Sequence, residues 1–268
     1  MIKFIASDLD GTLLDGQRRL PEEIFPIIKK LSALGVTFAP ASGRQYANLK
    51  KLFAPVSDDV LFLCENGALV KYRDKTLHIA PVCPQDALLA IRQVRSIPHV
   101  YPMLCCADCA YVESDAMPFY EYATISYTNC KKVDDLETVV GKEPVCKIAV
   151  YDELDAANHC IKLLPQRLPG LRTILSGFSW CDISAPEANK GEAIKYIRKA
   201  FGYRKEECLA FGDHMNDYEM LTECGHAYVP ENAYPPLKAL IGKTVPAAEE
   251  GGVILKLKEI ITSLEVNS

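Results

Sequence analysis

The sequence predicts an α/β fold whose parallel sheet is interrupted by an inserted α+β segment. Between Ile2 and Cys64, short apolar runs alternate with amphipathic helical patterns, the signature of parallel strands joined by helices. Near Pro81 to Pro84 that alternation gives way to short alternating strands, which continue to about Ser184. It resumes after Pro186, so the chain leaves its first domain and comes back to it.

The elements follow in order. Ile2 to Ala6 reads as a buried strand, and Pro21 to Leu34 as a helix with Ile24, Ile27, Ile28, Leu31 and Leu34 on one stripe. Pro26 calls for a later start or a kink in that helix. Gly35 ends it, V-T-F-A-P-A makes a second strand, and Ser42-Gly43-Arg44 leads into a helical stretch from Gln45 to Phe53. Val60 to Cys64 supplies a third strand, closed by the turn signal Glu65-Asn66-Gly67. Within the insert we expect helices at Gln85 to Arg95, Met117 to Ile125 and Asp152 to Leu164. Strands are expected near His99 to Cys105, Tyr111 to Glu113, Lys147 to Tyr151, Leu171 to Leu175 and Trp180 to Ser184, mostly antiparallel. The return brings a helix at Gly191 to Ala200, strand C-L-A-F-G, a helix from Asp217 to Cys224, strand A-Y-V and a last helix after Gly252.

Composition narrows the function. The 268 residues are 49% hydrophobic, enough for a sizeable core, and a net charge of -5 without a basic cluster argues against nucleic-acid binding. No apolar run reaches the roughly 18 residues that would suggest a membrane span. Eleven cysteines, odd in number and including an adjacent pair, fit a reduced, cytoplasmic protein. In C-C-A-D-C, Cys106 and Cys109 form a C-x-x-C, but with no second such pair or paired histidines, Cys105 to Cys109 read as buried thiols.

The first strand delivers Asp8 and Asp10 into a glycine turn. If the strand persists to Asp10, both acids face one side and at about 6 Å repel by roughly 3 kcal/mol, which a divalent cation or a retained proton would offset. Ligands of open α/β sheets collect outside the carboxyl ends of the strands. Those ends present Asp8 and Asp10, then Ser42-Gly43-Arg44, then G-D-H-M-N-D with Asp213, Asn216 and Asp217, while Lys190 opens the helix of the return. Oxygen ligands from Asp8 and Asp213 suit Mg²⁺, and a hydroxyl, helix-start N–H groups and a lysine suit a phosphate. His214 reads as a rim residue. Arg44 could meet substrate or a structural carboxylate.

D-L-D-G-T-L, A-S-G-R, N-K-G-E-A and G-D-H-M-N-D, in that order, resemble the four motifs of the haloacid dehalogenase superfamily. The insert, placed between the second and third motifs, resembles the C2B cap of the Cof-type phosphatases, and E-N-G-A at Glu65 to Ala68 also matches that group. V-P-E-N-A at Val229 to Ala233 departs from the Met-Gly-Asn-Ala usual there. The resemblance implies a Rossmann-like core at 1–82 and 185–268 with a cap domain at 83–184. It makes Asp8 a nucleophile forming an aspartyl-phosphate, and Asp10 the acid for the leaving oxygen and later the base for water. Asp8, Asp213, Asp217 and the Asp10 carbonyl would surround Mg²⁺, while Ser42, Gly43, Lys190 and Asn216 would hold phosphoryl oxygens. The expected partner is a small phosphorylated metabolite (sugar phosphate, nucleotide or cofactor phosphate), with neither nucleic acid nor membrane. The same D-x-D-G-T logic serves phosphotransferases of the phosphomannomutase kind. A non-catalytic phosphometabolite sensor is a further alternative, disfavoured by intact Asp8, Asp10, Lys190 and Asp213.

Overall fold

A computed structural model describes residues 1–266, which divide into two compact units. One comprises Met1–Gly43, Leu49–His78 and the chain from Asn189 onward; the other comprises Arg44–Asn48 with Ile79–Ala188.

The first unit starts with strand β1 (Phe4–Ser7), buried along its whole length, and helix α1 (Ile24–Ala33), which buries Ile24, Ile27, Ile28 and Leu31. The helix begins later than Pro21. Pro26 therefore falls in its first turn, where the missing N–H forfeits no intrahelical bond. Strand β2 (Thr37–Pro40) pairs parallel with β1, Ser7 opposite Pro40. After helix α2 (Tyr46–Leu52), strand β3 (Leu61–Cys64) meets the second strand only through single parallel bridges, Phe38 with Val60 and Ala41 with Leu63. Its regular pairing is antiparallel, in a small sheet with β4 (Leu69–Tyr72) and β5 (Lys75–Ile79). These two strands escape a pattern search because buried Lys71 interrupts one and the other is largely polar.

The second unit contains helix α3 (Pro84–Arg95), strands β6 (Val100–Cys106) and β7 (Ala110–Val112), helix α4 (Phe119–Ser126), strands β8 (Cys130–Lys132) and β9 (Val145–Asp152), helix α5 (Cys160–Arg167), and strands β10 (Arg172–Gly177) and β11 (Trp180–Ser184). They form a six-stranded sheet in the order β10-β11-β9-β6-β7-β8, antiparallel except where β7 meets β8. Ala87, Ile91 and Leu164 pack with Leu104, Ile148 and Val150 on one face, and Phe119 and Ala123 with Met103, Ala149 and Tyr151 on the other. The helix expected from Asp152 begins instead at Cys160. Asp152 ends β9 and its buried carboxylate accepts from the N–H groups of Leu154 and Cys160, both at 3.0 Å, so the acid organises the connection ahead of the helix. Gln45 and Asn129 exchange two hydrogen bonds, at 3.0 and 3.1 Å, which explains why the short stretch around Gln45 belongs to this unit. The aromatic side chains Tyr101, Phe119, Tyr122, Tyr151 and Trp180 form one cluster of ring contacts, with Phe119 fully buried in its core. Cys105, Cys106 and Cys109 are buried and outside any disulfide.

The chain then completes the first unit with helix α6 (Lys190–Phe201), strand β12 (Cys208–Phe211), helix α7 (Tyr218–Glu223), strand β13 (His226–Pro230), helix α8 (Pro235–Ile241), strand β14 (Thr244–Val245) and helix α9 (Gly252–Val266). The parallel sheet runs β14-β13-β12-β1-β2. Phe4, Ala6, Cys208 and Ala210 share a core with Ile194, Ile197, Met220 and Leu221. Ser7 lies opposite Phe211, so the loops carrying Asp8 and Asp213 leave neighbouring strands at the same end. Among the described residues, no helix is long and apolar enough to cross a membrane.

Candidate active site

Asp8 is held by the backbone just past β1. Its N–H donates to the Phe211 carbonyl at 2.9 Å, extending the parallel ladder by one rung, and the Ser7 hydroxyl donates to the Asp8 carbonyl at 2.8 Å. The strand stops there. The N–H groups of Thr12, Leu13 and Leu14 all turn back to the Leu9 carbonyl, so the extended geometry does not persist to Asp10. Asp10 Oδ1 lies 3.6 Å from the Nε of Arg18. Asp8 is brought together with Asp213 and Asp217: ligand oxygens of these three lie within 4.8 Å of one another.

Lys190 organises this cluster. Only 1% exposed, its ammonium donates to Asp8 Oδ1 at 2.5 Å and to Asp217 Oδ1 at 2.6 Å. It stands in the first turn of α6, whose N-cap Asn189 accepts from the Glu192 N–H at 2.9 Å. The other Asp217 oxygen accepts from the N–H groups of Asp213 and His214, at 3.0 and 3.2 Å, which closes the turn after β12. Asn216 lies on that turn, between the two acids.

Residues without an assigned role in the sequence reading complete the frame. The Thr12 hydroxyl donates to Asp213 Oδ1 at 3.2 Å. Gly11 has φ +84, and a Cβ on it would come within 2.9 Å of Asp213 Cγ, so the D-G-T turn passes the acid at a distance only glycine permits. Asn232, in the divergent V-P-E-N-A loop, donates to the Gly11 carbonyl at 2.8 Å and accepts from the Ala248 N–H at 2.9 Å. A polar residue after a D-x-D-G turn was the available signal for Thr12; for Asn232 it was the Asn-Ala that V-P-E-N-A shares with the usual Met-Gly-Asn-Ala.

Ser42 and Gly43 follow β2. Ser42 is buried, donating its N–H to the Leu63 carbonyl and accepting at its carbonyl from the Asn66 N–H, both at 3.0 Å. Arg44 groups with the second unit. His214 is exposed, its ring stacked on Tyr234 with centroids 4.9 Å apart.

Three carboxylates against one ammonium leave the cluster short of positive charge. Burial pushes the Asp8 carboxyl up to about 8, with Lys190 opposing and Asp217 and Asp213 adding to the rise. Burial and then Asp217 push Asp213 up to about 6. Burial disfavours the Lys190 charge, yet Asp217 and Asp8 more than reverse this and hold it above the ordinary lysine range. The ammonium therefore keeps its charge, while Asp8 and Asp213 are pushed toward holding protons that a bound cation would displace. Several hard oxygen donors in one place match a small divalent cation.

The chain matches the family described as haloacid dehalogenase-like hydrolase over residues 5–257. It is 26% identical over 250 residues to the 5-amino-6-(5-phospho-D-ribitylamino)uracil phosphatase YbjI of Escherichia coli, with 87% of this chain and 86% of that one aligned. To the HMP-PP phosphatase of Klebsiella pneumoniae it is 27% identical over 252 residues, covering 89% and 88% of the two chains. A haloacid dehalogenase-like hydrolase from Bacteroides thetaiotaomicron shares the fold, with a TM-score of 0.85 at 20% identity over 97% of this chain and 100% of that one.

Proposed function

The chain belongs to the haloacid dehalogenase-like hydrolase family, and from that premise we propose that it is a Mg²⁺-dependent phosphomonoester hydrolase acting on a small phosphorylated metabolite through an aspartyl-phosphate. The observation that carries the reading is the buried Lys190 bridging Asp8 and Asp217, with Asp213 in the same cluster. A structural ion pair needs one partner for a lysine. Here one ammonium faces several acids at the carboxyl ends of adjacent strands, where ligands of such sheets collect.

Asp8 is the nucleophile: an oxygen of its carboxylate forms a bond to phosphorus as the bond from phosphorus to the leaving oxygen breaks, and Asp10 gives that oxygen its proton. Water then attacks the phosphorus, Asp10 takes the water's proton, and the acyl-phosphate P–O bond breaks to release phosphate and restore the Asp8 carboxylate. Lys190 neutralises charge beside Asp8 throughout, and the Ser42 hydroxyl, the Gly43 N–H and Asn216 hold phosphoryl oxygens. Asp217 positions Lys190 and the Asp213 backbone. Asp8, Asp213, Asp217 and the Asp10 carbonyl would hold Mg²⁺, which when bound neutralises charge on the transferring group.

Two relatives are named for small-metabolite phosphatase activities, one of them on a phosphorylated ribitylaminouracil, which supports a metabolite of sugar-phosphate, nucleotide or cofactor-phosphate type. A cytoplasmic setting suits eleven cysteines outside any disulfide. The test is phosphate release from a panel of phosphate esters with Mg²⁺ and with EDTA. Hydrolysis should vanish in chelator, return with Mg²⁺, and be inhibited by Ca²⁺, whose larger and looser shell upsets in-line geometry. Full activity in chelator would refute the reading.

A further inference from the structure

The turn joining β3 to β4 is unusual for its job. Glu65, Asn66 and Gly67 are consecutive residues in left-handed backbone, with φ +50, +56 and +93. Side-chain-bearing residues keep that conformation only where the surroundings enforce it. Closing two antiparallel strands takes only two residues of positive φ, yet the loop between the paired Cys64 and Leu69 includes a third, Glu65, buried at 2% exposure.

Its packing explains the extra residue. The Asn66 N–H donates to the Ser42 carbonyl at 3.0 Å, and the Asn66 amide lies against Gly43, where a Cβ would come within 3.1 Å of both its nitrogen and its oxygen. The next residue, Gly67, presses on the peptide that joins Asn189 to Lys190. A Cβ there would lie 2.5 Å from the Asn189 carbonyl carbon and 2.8 Å from the Lys190 nitrogen. Two adjacent residues of one turn thus seat two parts of the site that are far apart in sequence, the Ser42–Gly43 loop and the start of α6.

We propose that the Glu65–Asn66–Gly67 turn is a positioning element of the phosphate site, setting the spacing between the Ser42–Gly43 loop and the Lys190 ammonium; this rests on the phosphatase reading above. Asn66 and Gly67 act through those residues and do not touch substrate. A methyl group at Gly67 must push the Asn189–Lys190 peptide away, because the atoms it meets are backbone and cannot rotate aside. Replacing Asn66 by glycine keeps the conformation accessible and removes only the amide that lies on Gly43.

The test uses the full-length protein and the competitive inhibition constant of inorganic phosphate against hydrolysis of p-nitrophenyl phosphate at saturating Mg²⁺, with circular dichroism and thermal melts in parallel. That constant does not depend on the fraction of molecules folded, so it separates positioning from simple loss of stability. Gly67→Ala should raise it about tenfold or more and lower kcat/KM by at least as much, and Asn66→Gly should raise it by about threefold or more. Should Gly67→Ala fail to fold, Asn66→Gly decides. An inhibition constant within about twofold of wild type in the folded variants, whatever their melting temperatures, would make the turn a mere strand connection and overturn the proposal. Absence of Mg²⁺-dependent hydrolysis in the wild-type protein would instead strike the phosphatase reading itself.

Discussion

Asp8 and Lys190 illustrate how burial and charge cooperate at single residues. In Asp8→Asn, a neutral amide neither attacks phosphorus nor matches the ammonium, so turnover should fall at least about 10³-fold. Because burial holds the Asp8 carboxyl above its ordinary range, its ionisation opposes folding near neutral pH, and the variant should melt no lower than wild type. Activity within about tenfold of wild type at saturating Mg²⁺ would remove Asp8 from the nucleophile's role. Glu207 shows the opposite sign. The Arg204 N–H, then the Lys3 and Arg204 side chains, hold its carboxyl down to about 2, against 4.5 for an ordinary glutamate. Its contribution to stability is therefore complete above about pH 4.5 and disappears as the pH falls through about 2. Glu207→Gln should melt below wild type at neutral pH, with the gap narrowing across that window; a gap unchanged at about pH 2 would refute the assignment.

At the scale of elements, α6 carries the most function on the least ambiguous signal. Asn189 caps it, the apolar stripe of Ala193, Ile194 and Ile197 buries it, and Lys190 rides in its first turn. Asn189→Ala should lower stability by about 1 kcal/mol in urea unfolding, and should lower kcat as the first turn frays; serine should restore most of both. Activity unchanged in the alanine variant would show that the cap does not hold Lys190. Elements with long apolar periodicity, such as α1 and α6, are legible from sequence because burial of one face dictates the pattern. The start of α5 is not, since Asp152 is a plausible helix cap in sequence and becomes a strand end only because β9 continues through it. β8 and β14 are too short for a period to show, and β8 is mostly exposed and polar.

For the whole molecule, cation binding and proton binding compete for the same carboxylates. With Asp8 up at about 8 and Asp213 at about 6, the Mg²⁺ concentration for half-maximal activity should rise steeply as the pH is lowered through that interval, since protons must leave before the cation binds. A requirement independent of pH between about 6 and 8 would contradict this. We propose that the first unit carries the chemistry and that the insert, residues 83–184, carries the choice of substrate. Replacing the insert with a short Gly/Ser linker should leave Mg²⁺-dependent hydrolysis of p-nitrophenyl phosphate and abolish discrimination among natural phosphates, provided the product is shown to be soluble and folded. An unchanged ranking of substrates would place selectivity in the first unit, with His214 the first residue to examine.

By itself the sequence determined the alternation of strand and helix, the interruption and return of the first domain, and the identities of Asp8, Asp10, Ser42, Lys190, Asp213 and Asp217 as candidates at strand ends and a helix start. Those follow from local rules: periodic burial, turn chemistry and the preference of ligands for the carboxyl ends of parallel strands. Only the tertiary structure decided which acids meet. The chain turns at Leu9, so Asp8 faces Asp213, Asp217 and Lys190 while Asp10 reaches Arg18. It also decided that Thr12 and Asn232 support Asp213 and Gly11, and that a strained turn at Glu65 underlies both Ser42 and Lys190. Such contacts join residues far apart in sequence, and they exist because adjacent parallel strands bring their end loops within hydrogen-bond reach, a proximity that no local pattern records.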